Sequence, residues 1–175
     1  TKQQRYEAKA VNFGILYGQG PHGLAEVTGM SFQDAKFFID RYFEVRPKLK
    51  DYITKTRKQA SEQGYVKTLL GRRRPTPDVR SSNFVLREAA YRAAVNMPVQ
   101  GTAADLTKLA MVKLAKKLDD DCQMLLQIHD SILIECPKTK AEGVSQMLKD
   151  IMEGVYSLPV KLKVDVATAQ NWGEF

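Results

Sequence analysis

Residues 123–136 read Gln123-Met124-Leu125-Leu126-Gln127-Ile128-His129-Asp130-Ser131-Ile132-Leu133-Ile134-Glu135-Cys136, and within them the hydrophobic period of the chain changes. Upstream, apolar residues recur about every 3.6 positions, as on one face of a helix. Here two short apolar runs flank a tight His129-Asp130-Ser131 centre, the pattern of a β-hairpin, and both strands are predicted to be largely buried. Residues 138–155 return to a helical pattern. A third strand is predicted at 160–166, where Val160, Leu162, Val164 and Val166 alternate with Lys161, Lys163 and Asp165. The class is therefore α+β, mainly helical, with a small antiparallel sheet.

Working back toward the N-terminus, a long helix is expected from about Ser82 to Leu118, interrupted near Pro98 and Gly101. A strand-like stretch from Tyr65 to Leu70 and a Gly/Arg/Pro turn precede it. Ser31, with Asp34 three residues later, resembles a capping box, and the spacing of Phe37, Phe38, Tyr42, Phe43 and Leu49 carries a helix toward Gly64 with a kink at Pro47. The first helix is expected over Gln4 to Tyr17, ended by Gly18, Gly20 and Pro21. With no repeat, low-complexity tract or Gly/Ser linker, the two halves are expected to pack together.

At 175 residues and 43% hydrophobic, the chain has enough apolar material for a core, which excludes intrinsic disorder. No apolar run approaches the roughly 20 residues of a membrane-spanning helix, and no signal segment opens the chain. The default expectation is a soluble, cytoplasmic protein without a membrane partner. Cys122 and Cys136 are too few for a disulfide scaffold and lack a second Cys/His pair for zinc. The net charge of +7 is unevenly spread: residues 1–95 hold 18 basic and 9 acidic side chains, residues 96–175 hold 9 and 11. A basic half beside a mildly acidic one suggests a polyanion-binding surface next to something that holds cations.

Gly18-Gln19-Gly20-Pro21-His22-Gly23 matches the GxGxxG pattern of dinucleotide sites, with Asp40 beyond it. Such a site needs a strand before the glycines. The charged residues ahead of Val11 and a helix start at Ser31, where a second strand should fall, speak against it.

Arg5, Lys9, Phe13 and Tyr17 recur every four residues, so on a helix they form one slowly drifting ridge about 18 Å long. That length matches an extended nucleoside triphosphate, with cations at one end for phosphates and rings at the other for a base or sugar. Spacing alone favours the plainer reading of a solvated basic face with aromatics in the core. The full wording, Arg5-x3-Lys9-x3-Phe13-x3-Tyr17-Gly18, resembles the nucleotide-binding helix motif of family A DNA polymerases. In the same order come Gly64-Tyr65-Val66, Gly71-Arg72-Arg73-Arg74, Arg87-Glu88-Ala89-Ala90, Asn96-Met97-Pro98-Val99-Gln100-Gly101-Thr102-Ala103-Ala104-Asp105 and Leu126-Gln127-Ile128-His129-Asp130. Several motifs in register over nearly the whole chain make the resemblance specific.

The resemblance implies long fingers helices packed on a small antiparallel palm sheet. Residues 1–95 correspond to fingers with the nucleotide-binding helix, and 96–175 to the C-terminal part of the palm with the His-Asp hairpin. It implies template-directed DNA synthesis, with deoxynucleoside triphosphates and primer-template DNA as partners. Arg5 and Lys9 would contact the triphosphate, Phe13 would lie against its sugar and base, and Tyr17 would close over the site near the templating base. Arg92, Asn96 and Gln100, four apart, would hold primer and template in the minor groove, His129 would contact the primer end, and Arg72, Arg73 and Arg74 would touch the phosphate backbone. Asp130 is the catalytic and metal-binding candidate, one of the carboxylates that fix two Mg2+ ions about 3.5 to 4 Å apart.

Two departures from the family are visible. Its other indispensable carboxylate lies in a strand motif ahead of the nucleotide-binding helix, and Thr1 stands only four residues before Arg5. The chain is thus expected to be a fragment or one piece of a split polymerase, inactive without upstream palm and thumb segments. Secondly, Ser131 follows His129-Asp130 where the family usually has glutamate, and a hydroxyl is a poor ligand for a hard cation. The alternative expectation is a non-catalytic nucleic-acid-binding module that retains the polymerase fold.

Overall fold

The computed structural model describes residues 1–174, with the side chains of all of these except Gln3, Gln4, Tyr6, Glu7 and Ala10. The chain divides into two compact units, residues 1–99 and 100–175.

The first unit contains α1 (Lys2–Leu16), α2 (Pro21–Thr28), α3 (Phe32–Glu44), α4 (Pro47–Gln63), β1 (Tyr65–Lys67), β2 (Arg73–Pro75), a 3-10 turn at Pro77–Arg80 and the beginning of α5 (Phe84–Ala115). The Ser31 cap forms as expected: its hydroxyl accepts from the Asp34 backbone N–H at 3.1 Å and donates to the Asp34 carboxylate at 2.7 Å. Pro47 does more than kink a helix. It separates two, opening α4 at the first helical position, where its fixed φ fits and its missing N–H costs nothing. Strand β1 is shorter than expected, and the arginine run is only partly a turn. Arg73 and Arg74 lie in β2, opposite Lys67 and Val66 of β1. A run of arginines carries no apolar alternation, so its sequence pattern is silent about a strand that the pairing with β1 creates.

Helix α5 runs unbroken through Pro98, against the expected interruption. The proline removes one helical N–H, but Ala94, Val95 and Met97 are buried around it, and this packing holds the helix through the missing bond. Two apolar clusters fill the first unit. Ile15, Leu24 and Ala35 join α1, α2 and α3, while Ala60, Val66, Val79, Ala94 and Met97 join α4, the small sheet and α5.

The second unit holds the rest of α5, β3 (Gln123–Ile128), β4 (Ser131–Glu135), a 3-10 turn at Lys138–Lys140, α6 (Ala141–Glu153) and a final 3-10 turn, Trp172–Glu174. The β3–β4 hairpin is antiparallel as expected, with an irregularity between Met124 and Leu126. It is not buried on both faces. Met124, Ile132 and Ile134 pack on Leu106, Ala110, Leu114, Ile151 and Val155, whereas Leu125, Leu126 and Ile128 are exposed. Unbroken apolar runs such as residues 124–126 and 132–134 suggest cover on two sides, yet among the described residues helices cover only one. Residues 160–166 form no strand either. Their alternation survives only in part as burial, with Leu162 against the core but Val160 exposed, and the Val164 N–H is satisfied by the Glu153 carboxylate at 3.0 Å instead of by a ladder. Side-chain alternation sets which face is wet, while a strand also needs a neighbour for its backbone.

Candidate nucleotide and nucleic-acid site

Helix α1 is anchored by one face, where Val11 and Ile15 join Leu24, Ala35, Tyr42 and Phe43 in the apolar cluster. The four-residue ridge stands on another. Arg5 and Lys9 are exposed, and Phe13 and Tyr17 remain 43% and 39% exposed, which removes them from the core reading. Three of the four side chains touch in succession: the Lys9 ammonium lies 5.7 Å from the Phe13 ring centroid, and the Phe13 and Tyr17 rings stack at 5.9 Å with 12° between planes. A cation-to-ring gradient along one helix face is a surface for a ligand with charge at one end and a flat group at the other.

The helix ends just before Tyr17. The Gln19 N–H reaches the Gly14 carbonyl at 2.8 Å and the Gly18 N–H reaches that of Ile15 at 3.0 Å, a double closure with Gly18 left-handed at φ +84°. The glycines of the GxGxxG match therefore follow a helix, not a strand, and cap α1 and open α2. The dinucleotide reading loses its structural context.

Helix α5 presents Arg92, Asn96 and Gln100 at four-residue intervals, Arg92 and Gln100 exposed and Asn96 half-buried. Its opposite side is fixed to α4. Arg57 forms a forked ion pair with Glu88 at 2.9–3.0 Å and lies 4.0 Å over the Tyr91 ring, and the Tyr52 hydroxyl donates to the Val95 carbonyl at 2.7 Å. The Arg57 hydrogen bonds hold the Glu88 carboxyl below its ordinary range, while burial pushes the Tyr52 phenol up. At the small β1–β2 sheet Arg72, just before β2, and Arg73 and Arg74 within it are all exposed, and the Arg73 guanidinium lies 4.7 Å over the Tyr65 ring.

In the second unit the hairpin tip carries His129 and Asp130, both exposed. The turn itself is two residues, since Ile128 pairs with Ser131. His129 has φ +54°, the only non-glycine residue in the left-handed region among those described, a conformation that the sequence gives no sign of. The Gln127 side-chain amide donates to the His129 carbonyl, and the Ser131 hydroxyl donates to the Ile128 carbonyl at 2.8 Å. Ser131 is thereby spent on closing the turn. Glu135 stands at the far end of β4, opposite Gln123. Among the described residues no group of three or more His, Cys, Asp or Glu gathers to hold a metal ion. Asp130 offers one carboxylate, which does not by itself make a cage for Mg2+.

The base of the hairpin is clasped by charge, a feature the sequence reading missed. The Lys140 ammonium bridges Asp119 at 2.7 Å and Asp121 at 2.8 Å, and the Cys122 thiol hydrogen-bonds to Asp119. These contacts raise Lys140, lower Asp119 and push the Cys122 thiol up to about 11. Both cysteines are free. The run Asp119-Asp120-Asp121 was the available signal, though nothing in it names Lys140 as the partner. No helix among the described residues is long and apolar enough to cross a membrane.

Comparison with known proteins joins these pieces. The model of DNA polymerase family A matches residues 1–174. The chain is 48% identical over 169 residues to the thermostable DNA polymerase I of Thermus aquaticus, covering 96% of this chain and 20% of that protein. Against DNA polymerase I of Deinococcus radiodurans it is 49% identical over 170 residues, covering 97% and 18%. Among solved structures, the POL domain of Pol1 from M. smegmatis, in complex with DNA primer-template and dNTP, superposes with a TM-score of 0.87 at 37% identity, over 93% of this chain and 29% of that one. The chain spans about a fifth of the length of the curated relatives it matches. With residues 1–174 matched and nearly half the aligned residues identical to these bacterial enzymes, the chain belongs to DNA polymerase family A.

Proposed function

We propose that this chain supplies the fingers (residues 1–95) and the C-terminal part of the palm (residues 96–175) of a cytoplasmic, template-directed DNA polymerase that adds deoxynucleotides to a primer 3′-hydroxyl. The observation that carries this reading is the exposed Lys9–Phe13–Tyr17 ridge, with Arg5 one step further along α1. Arg5 and Lys9 meet the triphosphate, Phe13 the sugar and base, and Tyr17 the template side. Arg92, Asn96, Gln100 and His129 hold the primer-template, and Arg72, Arg73 and Arg74 grip its backbone without reading sequence. The M. smegmatis complex with primer-template and dNTP supports the same two partners here.

Asp130 is the catalytic carboxylate of this chain. Mg2+ held there would supply charge stabilisation at the transferring phosphate and a more acidic primer hydroxyl. Asp130 would hold it with a single carboxylate, so the reaction would draw on upstream palm and thumb segments of a longer enzyme, and residues 1–175 alone are expected not to extend a primer.

The test is Lys9→Ala in the enzyme containing this chain. A desolvated cation opposite a triphosphate contributes about 1.5 to 3 kcal/mol, so KM for the nucleotide is expected to rise by roughly ten- to a hundredfold while primer-template affinity holds. Equal losses in both would remove the ridge from the nucleotide site. An assembled enzyme that binds DNA and never extends it would instead be a non-catalytic binding module.

A further inference from the structure

Gly18 meets two constraints at once, and only one of them concerns the backbone. Its φ of +84° suits the closure of α1, a need that Gly71 shares at φ +87°. At Gly71, however, a Cβ would meet nothing within 4 Å, while at Gly18 it would lie 2.6 Å from Cγ and 2.9 Å from Cδ of Arg92. The stem of Arg92 occupies the space a side chain at Gly18 would need. Overlap at such a separation cannot be relieved by swinging the tip of the arginine. The stem must take another rotamer, which re-aims the guanidinium.

The neighbouring turn is filled differently. A Cβ on Gly14 would fall 1.7 Å from the Gln19 side-chain oxygen, and one on Gly23 would lie 3.0 Å from Gln19 Cγ. Gln19 thus locks α1 to α2, whereas Gly18 touches α5. The Gly18–Arg92 contact lies outside both apolar clusters of the unit. It joins the residue next to Tyr17, on the nucleotide ridge, to the first residue of the primer-template ridge.

We propose that Gly18 is a positioning residue: its bare backbone lets the Arg92 stem lie across the end of α1, so that the arrangement of the Tyr17–Gly18 turn sets where the Arg92 guanidinium points. Nucleotide occupancy at α1 is thereby coupled to the grip on DNA at α5. By thermodynamic reciprocity, DNA held by Arg92 favours the nucleotide-bound arrangement of the turn by the same factor. This rests on the roles proposed above for the two ridges.

The experiment uses the enzyme containing this chain and a dideoxy-terminated primer-template, whose dissociation constant is measured by fluorescence anisotropy with and without the correct next dNTP. Gly18→Ala, Arg92→Ala, their combination, Arg92→Lys and Gly14→Ala are compared. Arg92→Ala is expected to weaken DNA binding about tenfold, the scale of one charged hydrogen bond, and to reduce the tightening caused by dNTP although Arg92 does not touch the nucleotide. Gly18→Ala is expected to do the same and to add little DNA loss once Arg92 is alanine, while Arg92→Lys restores most of the affinity. Losses of Gly18→Ala and Arg92→Ala that simply multiply overturn the coupling, as does a Gly14→Ala variant that mimics Gly18→Ala in the cycle. Should Gly18→Ala not fold, undiminished dNTP-dependent tightening in Arg92→Ala alone overturns it. Unchanged DNA affinity in Arg92→Ala removes the α5 ridge assignment and this proposal together, whereas a normal loss with multiplicative behaviour removes the coupling only.

Discussion

Two antiparallel hairpins, β1–β2 and β3–β4, each turn through one residue in the left-handed backbone region, but the first uses Gly71, at φ +87°, and the second His129, at φ +54°. Around Gly71 there is open space, so the glycine answers to its backbone angle alone. The arginines that follow it are displayed by a short ladder whose inner residue, Val66, is fully buried. In β3–β4 the turn is tighter, and a bulky residue takes the left-handed angle at a cost of about 1 to 2 kcal/mol. Gln127 and Ser131 close the turn around it, which is how such strain persists. The two hairpins thus reach a left-handed turn residue by different means, an unhindered glycine in one and a side chain held by local hydrogen bonds in the other.

The sharpest way to break this contrast is Asp130→Asn in the enzyme containing this chain. If Asp130 holds the metal ion as proposed, its loss removes several kcal/mol of transition-state stabilisation, so primer extension is expected to fall by about a thousandfold or more, with DNA affinity unchanged. Activity that survives the change, measured in single-turnover extension, would make the two hairpins equivalent display devices.

The corresponding change in β1–β2 acts on binding. Arg72→Ala, Arg73→Ala and Arg74→Ala together are expected to leave single-turnover chemistry at saturating DNA intact, and to reduce the slope of log affinity against log salt by about 2 to 3, roughly one for each phosphate that is no longer neutralised. A titration at several salt concentrations with an unaltered slope would take the run off the DNA.

Ser131→Glu probes the missing carboxylate beside Asp130. An added anionic oxygen next to the proposed hard-cation site is expected to lower the magnesium concentration at half-maximal extension. Because the Ser131 hydroxyl closes the turn on Ile128, some loosening of the hairpin should accompany the gain. Identical magnesium midpoints for the two versions would show that this position does not face the metal.

The smallest effects are conformational and opposite in sign. Gly71→Ala is expected to destabilise β1–β2 by about 1 kcal/mol through its φ alone, and His129→Gly to relieve β3–β4 by less than about 1 kcal/mol, since glycine's own flexibility offsets part of the relief. Hydrogen exchange of the hairpin amides reads both. If His129→Gly left primer use untouched while slowing exchange, the strained histidine would have no role in holding the primer end.

How much of this was legible beforehand depends on the reach of the interaction concerned. Ser31 capping Asp34, the α1 ridge and the β3–β4 pairing were readable, because each is settled by residues a few positions apart in the sequence. The alternation at 160–166 predicts a strand that does not form, because alternation fixes the wet face but cannot supply a ladder partner. Likewise Pro98 marks a helix break only where nothing else holds the helix, and buried Ala94, Val95 and Met97 do hold it.

The order and wording of the motifs were enough by themselves to indicate the family, since four-residue spacing on a helix and the hairpin pattern are local and chemical. The tertiary structure alone decided that Phe13 and Tyr17 stay outside the core, that His129 is strained, that Lys140 closes the hairpin base on Asp119 and Asp121, and that the stem of Arg92 lies against Gly18. Each of these pairs a backbone angle or a packed volume with a partner distant in sequence or set by the closed turn, and such distances come into being only when the chain has folded.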